Sequence, residues 1–420
     1  MTKVMTISSK LNSIRKKLGI SESTVALNLG YHINKFIELE NGEATISNEL
    51  LSKWKLALGI PEVPITDVEV QAFEESLWNW RTLINSWLVD LAREGLHKLK
   101  RCAELSCEPH LQHVYTLISI GYFSIVDDNE AADRALQILA VDYLNLSTIN
   151  KIRFHTIRGN RYANKHNYAK AFEELHEAYI LNDGSSIAGL GLYYALAQCL
   201  TVFGFSYKAI DLLTKTREMY KAAGDEVTLI YSNIPLALNY SRIGEFDKAM
   251  QLLNESLDQQ PVTSLYPSIY YGYANLYKAM GDYDKALEFC EKTIESIDLN
   301  SEIYLNALYL KAEIFTLQNN TKPLLECIEE GLTASINNYR SLISFNTIKH
   351  MRNLNNEESL SYIINTSIPF FEEEKYYRTV IEYNLKLCEY FEKCGNHSMA
   401  LNHLKQSMNY EQKLSKGDIS

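Results

Sequence analysis

The sequence predicts an all-α protein, a small helical head followed by a long α-solenoid, and three observations carry that expectation. A pattern of small residue, aromatic, turn, aromatic and small residue recurs at intervals of 36 to 40 residues. Only 18 Gly and 8 Pro occur in 420 residues, which favours long uninterrupted helices over a turn-rich β architecture. Charge is split along the chain. Residues 1–60 carry eight Lys/Arg and five Glu, a balance of +3, whereas the whole chain is at −11. A basic head on an acidic body suggests that the head meets a polyanion and the body does not.

The head, residues 1–60, reads as four helices. Leu11, Ile14 and Leu18 mark the first, and Ser21 caps a second that holds Val25, Ala26 and Leu29. Gly30 makes a tight turn. Phe36, Ile37 and Leu39 mark a third helix ending at Asn41-Gly42, and Leu50, Leu51, Trp54, Leu56 and Leu58 a fourth. Two short helices joined at a glycine form a helix-turn-helix. The segment resembles the phage-repressor-like DNA-binding family at Ala26, Gly30, Leu39-Glu40-Asn41-Gly42 and Leu58-Gly59. That resemblance makes His32 to Asn41 the recognition helix. His32, Ile33, Asn34 and Lys35 would face base edges in double-stranded DNA, and Arg15, Lys16, Lys17, Ser21 and Ser23 would meet phosphates. Glu22 and Glu38 depart from the family, because each puts a carboxylate where a neutral or basic side chain is usual.

Residues 61–108 form the joint. PEVPITDVEV, with two prolines, reads as a short stiff linker. The amphipathic stretch after it holds Trp78, Trp80 and Trp87, either as a capping helix on the first repeat or as a hinge or dimer contact.

Residues 109–420 hold the repeats, about seven to eight helix pairs. In ANLYKAMGDYDKALEFCEKTI, Ala274 and Tyr277 share one helix face, Gly281-Asp282 breaks the helix, and Ala286, Cys290 and Thr293 share the face of a second. The template recurs at Ala237, Tyr240, Gly244, Phe246 and Ala249, with Pro261 beyond. Turns fall near 166, 204, 244, 281, 319, 355 and 395, and a poorer unit lies around Asp127. The copy at Ala312 and Phe315 is weaker and interrupted by Pro323. One helix pair cannot bury its apolar face alone, so repetition means stacking. These residues resemble the tetratricopeptide repeat, which implies a right-handed solenoid with a concave wall.

The position after each small residue points to that wall: Asn160, Gln198, Leu238, Asn275, Glu313, Lys349 and Glu389. Side-chain amides can donate to and accept from an extended peptide backbone at once. Arg153, Asn164, Tyr194, Asn239, Arg242, Tyr271 and Lys278 lie nearby, and the cations could hold a peptide carboxylate. Leu238 breaks the ladder.

A helix-turn-helix followed by an acidic tetratricopeptide solenoid resembles the peptide-pheromone receptors of Gram-positive bacteria, the Rgg, PlcR, NprR and Rap group, and the longer NprR-like members most. The resemblance implies a cytoplasmic, homodimeric transcription regulator of quorum sensing, controlled by a short signalling peptide. The rival expectation is an adaptor that sequesters a response regulator or another protein, with an inert head. No catalytic residue, metal ligand or cofactor is expected. The seven cysteines are scattered, the ten histidines are dispersed, and no nucleophile-elbow motif occurs. No apolar run long enough to cross a membrane and no signal-peptide block is present, so no membrane partner is expected.

Overall fold

A computed structural model describes residues 5–85, 88–183, 189–223, 226–259, 265–297 and 301–416. All regular structure among them is helical. The chain forms two compact units, residues 1–157 and 158–420.

The first unit begins with α1 (Ile7–Lys17), α2 (Glu22–Leu29), α3 (Ile33–Glu40) and α4 (Asn48–Ala57). The hydroxyls of Thr6, Ser21 and Ser47 accept from backbone N–H groups in the first turns of α1, α2 and α4. Gly30 ends α2 at φ 73°, a conformation that costs an L side chain about 1 kcal/mol. Leu11, Ile14, Val25, Phe36 and Trp54 are fully buried between these helices, with the Phe36 and Trp54 rings edge-on at 5.0 Å. Ile37 and Leu56, expected on apolar faces, turn to solvent instead.

The same core continues through the joint. Ile60, Val63 and Ile65 are buried, and Lys10 donates from Nζ to the Ile65 carbonyl at 3.0 Å. The PEVPIT segment is therefore packed apolar chain, not a spacer standing in water. α5 (Asp67–Asn85), α6 (Val89–Leu105), α7 (Pro109–Ile125) and α8 (Asn129–Val141) complete the unit with the start of α9 (Thr148–Asn164). Trp80 donates from Nε1 to the Ala92 carbonyl at 2.7 Å and stacks on Tyr115 at 5.4 Å. Trp78 lies under Arg153. Trp87 and Pro261 lie outside the described residues.

The second unit takes up the rest of α9 and then α10 (Tyr168–Asn182), α11 (Gly189–Phe203), α12 (Ser206–Ala223), α13 (Glu226–Arg242), α14 (Phe246–Asp258), α15 (Tyr266–Met280), α16 (Tyr283–Glu295), α17 (Glu302–Leu317), α18 (Thr321–Ala334), α19 (Tyr339–Met351), α20 (Glu357–Tyr362), α21 (Ile368–Glu373), α22 (Tyr377–Lys393) and α23 (His397–Lys416). Left-handed residues mark the hairpin turns: His166, Gly204, Gly244, Gly281, Asn319 and Gly395 here, and Asp127 in the first unit. Ala197, Ala237, Ala274, Ala286 and Ala312 have at most 1 % of their surface exposed, as close helix crossings require. At Gly159 even a methyl group would meet Leu175 at 2.5 Å. α11, α13, α15, α17 and α19 pack in series and form one continuous layer.

One expectation needs correction here. Pro323 does not interrupt its repeat. It sits in the first turn of α18, where no helical hydrogen bond needs its missing N–H. The turn near 355 is present at residues 352–356, between α19 and α20, but without a left-handed residue. The chain runs through α20, a π-turn at Ile363–Ser367 and α21, and reaches its left-handed turn at Lys375. Pro369 accounts for the irregularity, because it cannot donate to the carbonyl four residues back.

The last hairpin returns to the early helices of its own unit. Tyr377 packs against Phe203 and Phe205, with ring centroids 6.4 and 6.1 Å away. Tyr376 meets Tyr168 edge-on at 6.2 Å.

Candidate functional site

The candidate DNA residues sit around α2 and α3. His32 caps α3, its Nδ1 accepting from the Asn34 N–H at 3.4 Å, and Asn34 and Lys35 are exposed in the first turn. Ile33 is half-buried and packs on the head core, so it does not stand free as expected. Ser21 and Ser23 are exposed, and their hydroxyls lie 2.8 Å apart. Lys16 and Lys17 are exposed.

Arg15 is not available to a phosphate. It is 5 % exposed and grips Glu40 through Nε at 2.7 Å and Nη2 at 2.9 Å. Its Nη2 also reaches Glu22 at 3.1 Å, so the first of the two unusual carboxylates is neutralised from within. The second, Glu38, pairs with Lys35 at 3.1 Å. Lys10, Lys53 and Lys55 are likewise bound to Glu108, Glu49 and Glu69. Five of the seven cations described in residues 5–60 thus have carboxylate partners.

The candidate peptide residues divide into three groups. Arg153 belongs to the first unit, where its guanidinium covers the Trp78 ring at 4.4 Å and burial pushes its pKa down to about 10. Asn239 is fully buried, and its Nδ2 donates to Thr201 Oγ1 at 2.7 Å and to the Pro235 carbonyl at 2.8 Å. Both are structural residues, contrary to expectation: one is spent on an indole, the other on its own helix and a neighbour.

The remaining residues lie on the second unit and keep accessible surface. Asn160, Asn164 and Arg242 are exposed; Tyr194, Gln198, Tyr271, Asn275 and Lys278 are half-buried. Gln198 donates to the Tyr194 hydroxyl at 3.0 Å, and Asn275 to the Tyr271 carbonyl at 2.8 Å. Lys278 meets Glu313 at 2.6 Å. Burial alone would lower the Lys278 ammonium, but Glu313 holds it above the usual lysine range. Burial raises the Tyr194 and Tyr271 hydroxyls, which keeps them neutral hydrogen-bonding groups.

Four further residues complete this polar layer, and the repeat template did not reach them. Tyr309 stands three residues before Ala312, the register of Tyr194 and Tyr271, so the repeat itself carried its signal. Its hydroxyl lies 3.2 Å from that of Tyr383. His166, Glu302 and Arg340 sit in turns and first turns, outside the template. Glu302 is bridged by His166 Nδ1 at 3.2 Å and Arg340 Nη2 at 3.3 Å, while Arg340 also donates to Asn306 at 3.1 Å. Burial would raise the Glu302 carboxyl; the His166 and Arg340 contacts hold it below the usual range. A cleft of about 80 Å³, room for a few waters or one small side chain, opens between Asn306, Tyr309, Arg340 and Tyr376. No group of three or more metal-ligating side chains occurs among the described residues. None of the helices is long and apolar enough to cross a membrane.

Comparison with known proteins agrees with this architecture. Residues 270–302 match the tetratricopeptide repeat family. No curated protein matches the sequence. A crystal structure of a Rap protein complexed with competence and sporulation factor is similar at a TM-score of 0.70 and 15 % identity, covering 82 % of this chain and 99 % of that one. The structure of NprR in complex with its cognate peptide NprX gives 0.66 and 16 %, covering 82 % and 99 %. The apo form of the quorum sensor NprR from B. thuringiensis gives 0.61 and 16 %, covering 82 % and 100 %. At such identities the likeness is one of fold: the chain is an all-α solenoid of the tetratricopeptide type.

Proposed function

We propose that this protein is a transcription regulator that binds operator DNA through residues 1–60 and is controlled by a short signalling peptide on the inner layer of residues 158–420. The observation that carries the reading is that layer. Amides at Gln198 and Asn275, hydroxyls at Tyr194, Tyr271 and Tyr309, and cations at Arg242 and Lys278 share one continuous tier of helices, α11 to α17, and Asn160 adds an exposed amide on α9. Such a surface offers donors and acceptors to a chain with no internal partners. Two solved proteins of this fold carry peptides or factors in their complexes, as their descriptions state. A homodimer and a cytoplasmic site of action belong to the same reading.

The head supports the DNA side through its two short helices, the Gly30 turn and the exposed Asn34, Lys35, Lys16 and Lys17. The adaptor reading stays in play for a specific reason: most of the head's positive charge is already paired within the protein. Gel shifts with genomic fragments at graded salt separate the two. Operator binding predicts a shift at low salt that weakens steeply as salt rises. No shift at low salt, with a protein partner co-purifying, would leave the adaptor.

A further inference from the structure

Three cations stand on the layered helices of the second unit, Arg242, Lys278 and Arg340, and a fourth, Arg378, reaches the α11–α12 turn from α22; two of the four have no carboxylate partner among the described residues. Lys278 is held by Glu313 and Arg340 by Glu302. Arg242, at the end of α13, donates from Nη1 to the Thr201 carbonyl at 2.5 Å. Arg378, in the first turn of α22, donates from Nε to the Gly204 carbonyl and from Nη2 to Ser206 Oγ, each at 3.4 Å. All three acceptors belong to the junction of α11 and α12, so two guanidinium groups are gathered on one turn. Both side chains stay exposed, and neither is within ion-pair distance of a carboxylate among the described residues. The surrounding protein, and next the charge of Arg378, push the Arg242 pKa down to about 10.

The turn is shaped for this arrangement. Gly204 has φ 96°, and a Cβ there would lie 2.6 Å from Arg378 Cγ and 3.1 Å from its Nε. Only a bare residue lets the arginine lie across it. Like charges held together in partly desolvated surroundings repel unless an anion joins them. Paired guanidinium forks match a carboxylate in both shape and charge.

We propose that Arg242 and Arg378 together grip a carboxylate of the bound peptide. This rests on the peptide reading above. The occupant ties α22 to α13 through its own charge and so tightens the return of the last hairpin onto the α11–α12 turn. The carboxylate comes from the peptide's C-terminus or from an acidic side chain.

The test uses the full chain, immobilised, and three pools of random synthetic heptapeptides. The first has free C-termini and no Asp or Glu, the second is the same but amidated, and the third is amidated with one Asp per peptide. The expected result is retention of the first or third pool about tenfold above the second, the size of one charge-assisted contact. Which of the two is preferred names the source. Arg242→Gln and Arg378→Gln should each abolish the preference, and Arg378→Lys should restore part of it. Gly204→Ala displaces Arg378 without altering its charge and gives the same loss should Arg378→Gln not fold. Equal retention of all three pools by the unsubstituted protein, or a preference that survives both Gln variants, overturns the proposal while leaving peptide binding intact. Retention of no pool overturns the peptide reading itself, and the grip with it.

Discussion

Arg15 shows what a run of basic residues conceals. Arg15, Lys16 and Lys17 are adjacent in sequence and were expected to act together on phosphate. A helix turns about 100° per residue, so neighbours cannot share a face. The apolar spacing of Leu11 and Ile14 places Arg15 beside the core, where it closes on Glu40. Removing one partner of a buried pair leaves the other charge unsolvated. Arg15→Ala is expected to destabilise the protein by about 3 kcal/mol, whereas Lys16→Ala changes little. Urea titrations of both variants check this, and equal midpoints would place Arg15 outside the core. The shared register of Gln198 and Asn275 was legible because one helix pattern repeats. Arg340, Glu302 and Arg378 were not, since each sits in a first turn where the repeat constrains nothing.

At the scale of elements, the turns were the most readable part of the chain. Six of the seven anticipated hairpin turns, and the poorer one at Asp127, carry left-handed residues. Four of those eight positions are glycines, which adopt that conformation freely; Asp127, His166 and Asn319 adopt it at a cost. Gly281→Ala should therefore lower stability by about 1 kcal/mol, and Asn319→Gly should raise it by a smaller amount, both seen in thermal melts. A loss on Asn319→Gly would mean that the Asn side chain matters more than its backbone. The eighth turn, near 355, is present between α19 and α20 but carries no left-handed residue. The helix after that turn is the irregular one, two short α pieces joined by a π-turn before Pro369.

At the scale of the whole molecule, composition gave the helical class and the period gave the solenoid. The extent of the first core was not legible, because Val63 and Ile65 flank Pro64 in a two-proline stretch that reads as linker. Those two residues join a core drawn from Leu11 to Tyr122, and Ile65 is held by Lys10, 55 positions away, which no local pattern reveals. In the second unit most contacts join neighbours, as in any stacked array. The return of α22 is the exception. Tyr377→Ala is expected to speed hydrogen exchange in residues 200–210 while leaving α15 and α16 protected, as mass spectrometry would register.

The Arg378 contact with Gly204 spans 174 positions of the chain. It cannot form until the hairpins between them have stacked, because only their accumulated rotation brings the two sites together. The clasp of this hoop therefore closes last in folding. Substitutions at Arg378 or Tyr377 should leave the folding rate nearly untouched and appear almost wholly as faster unfolding.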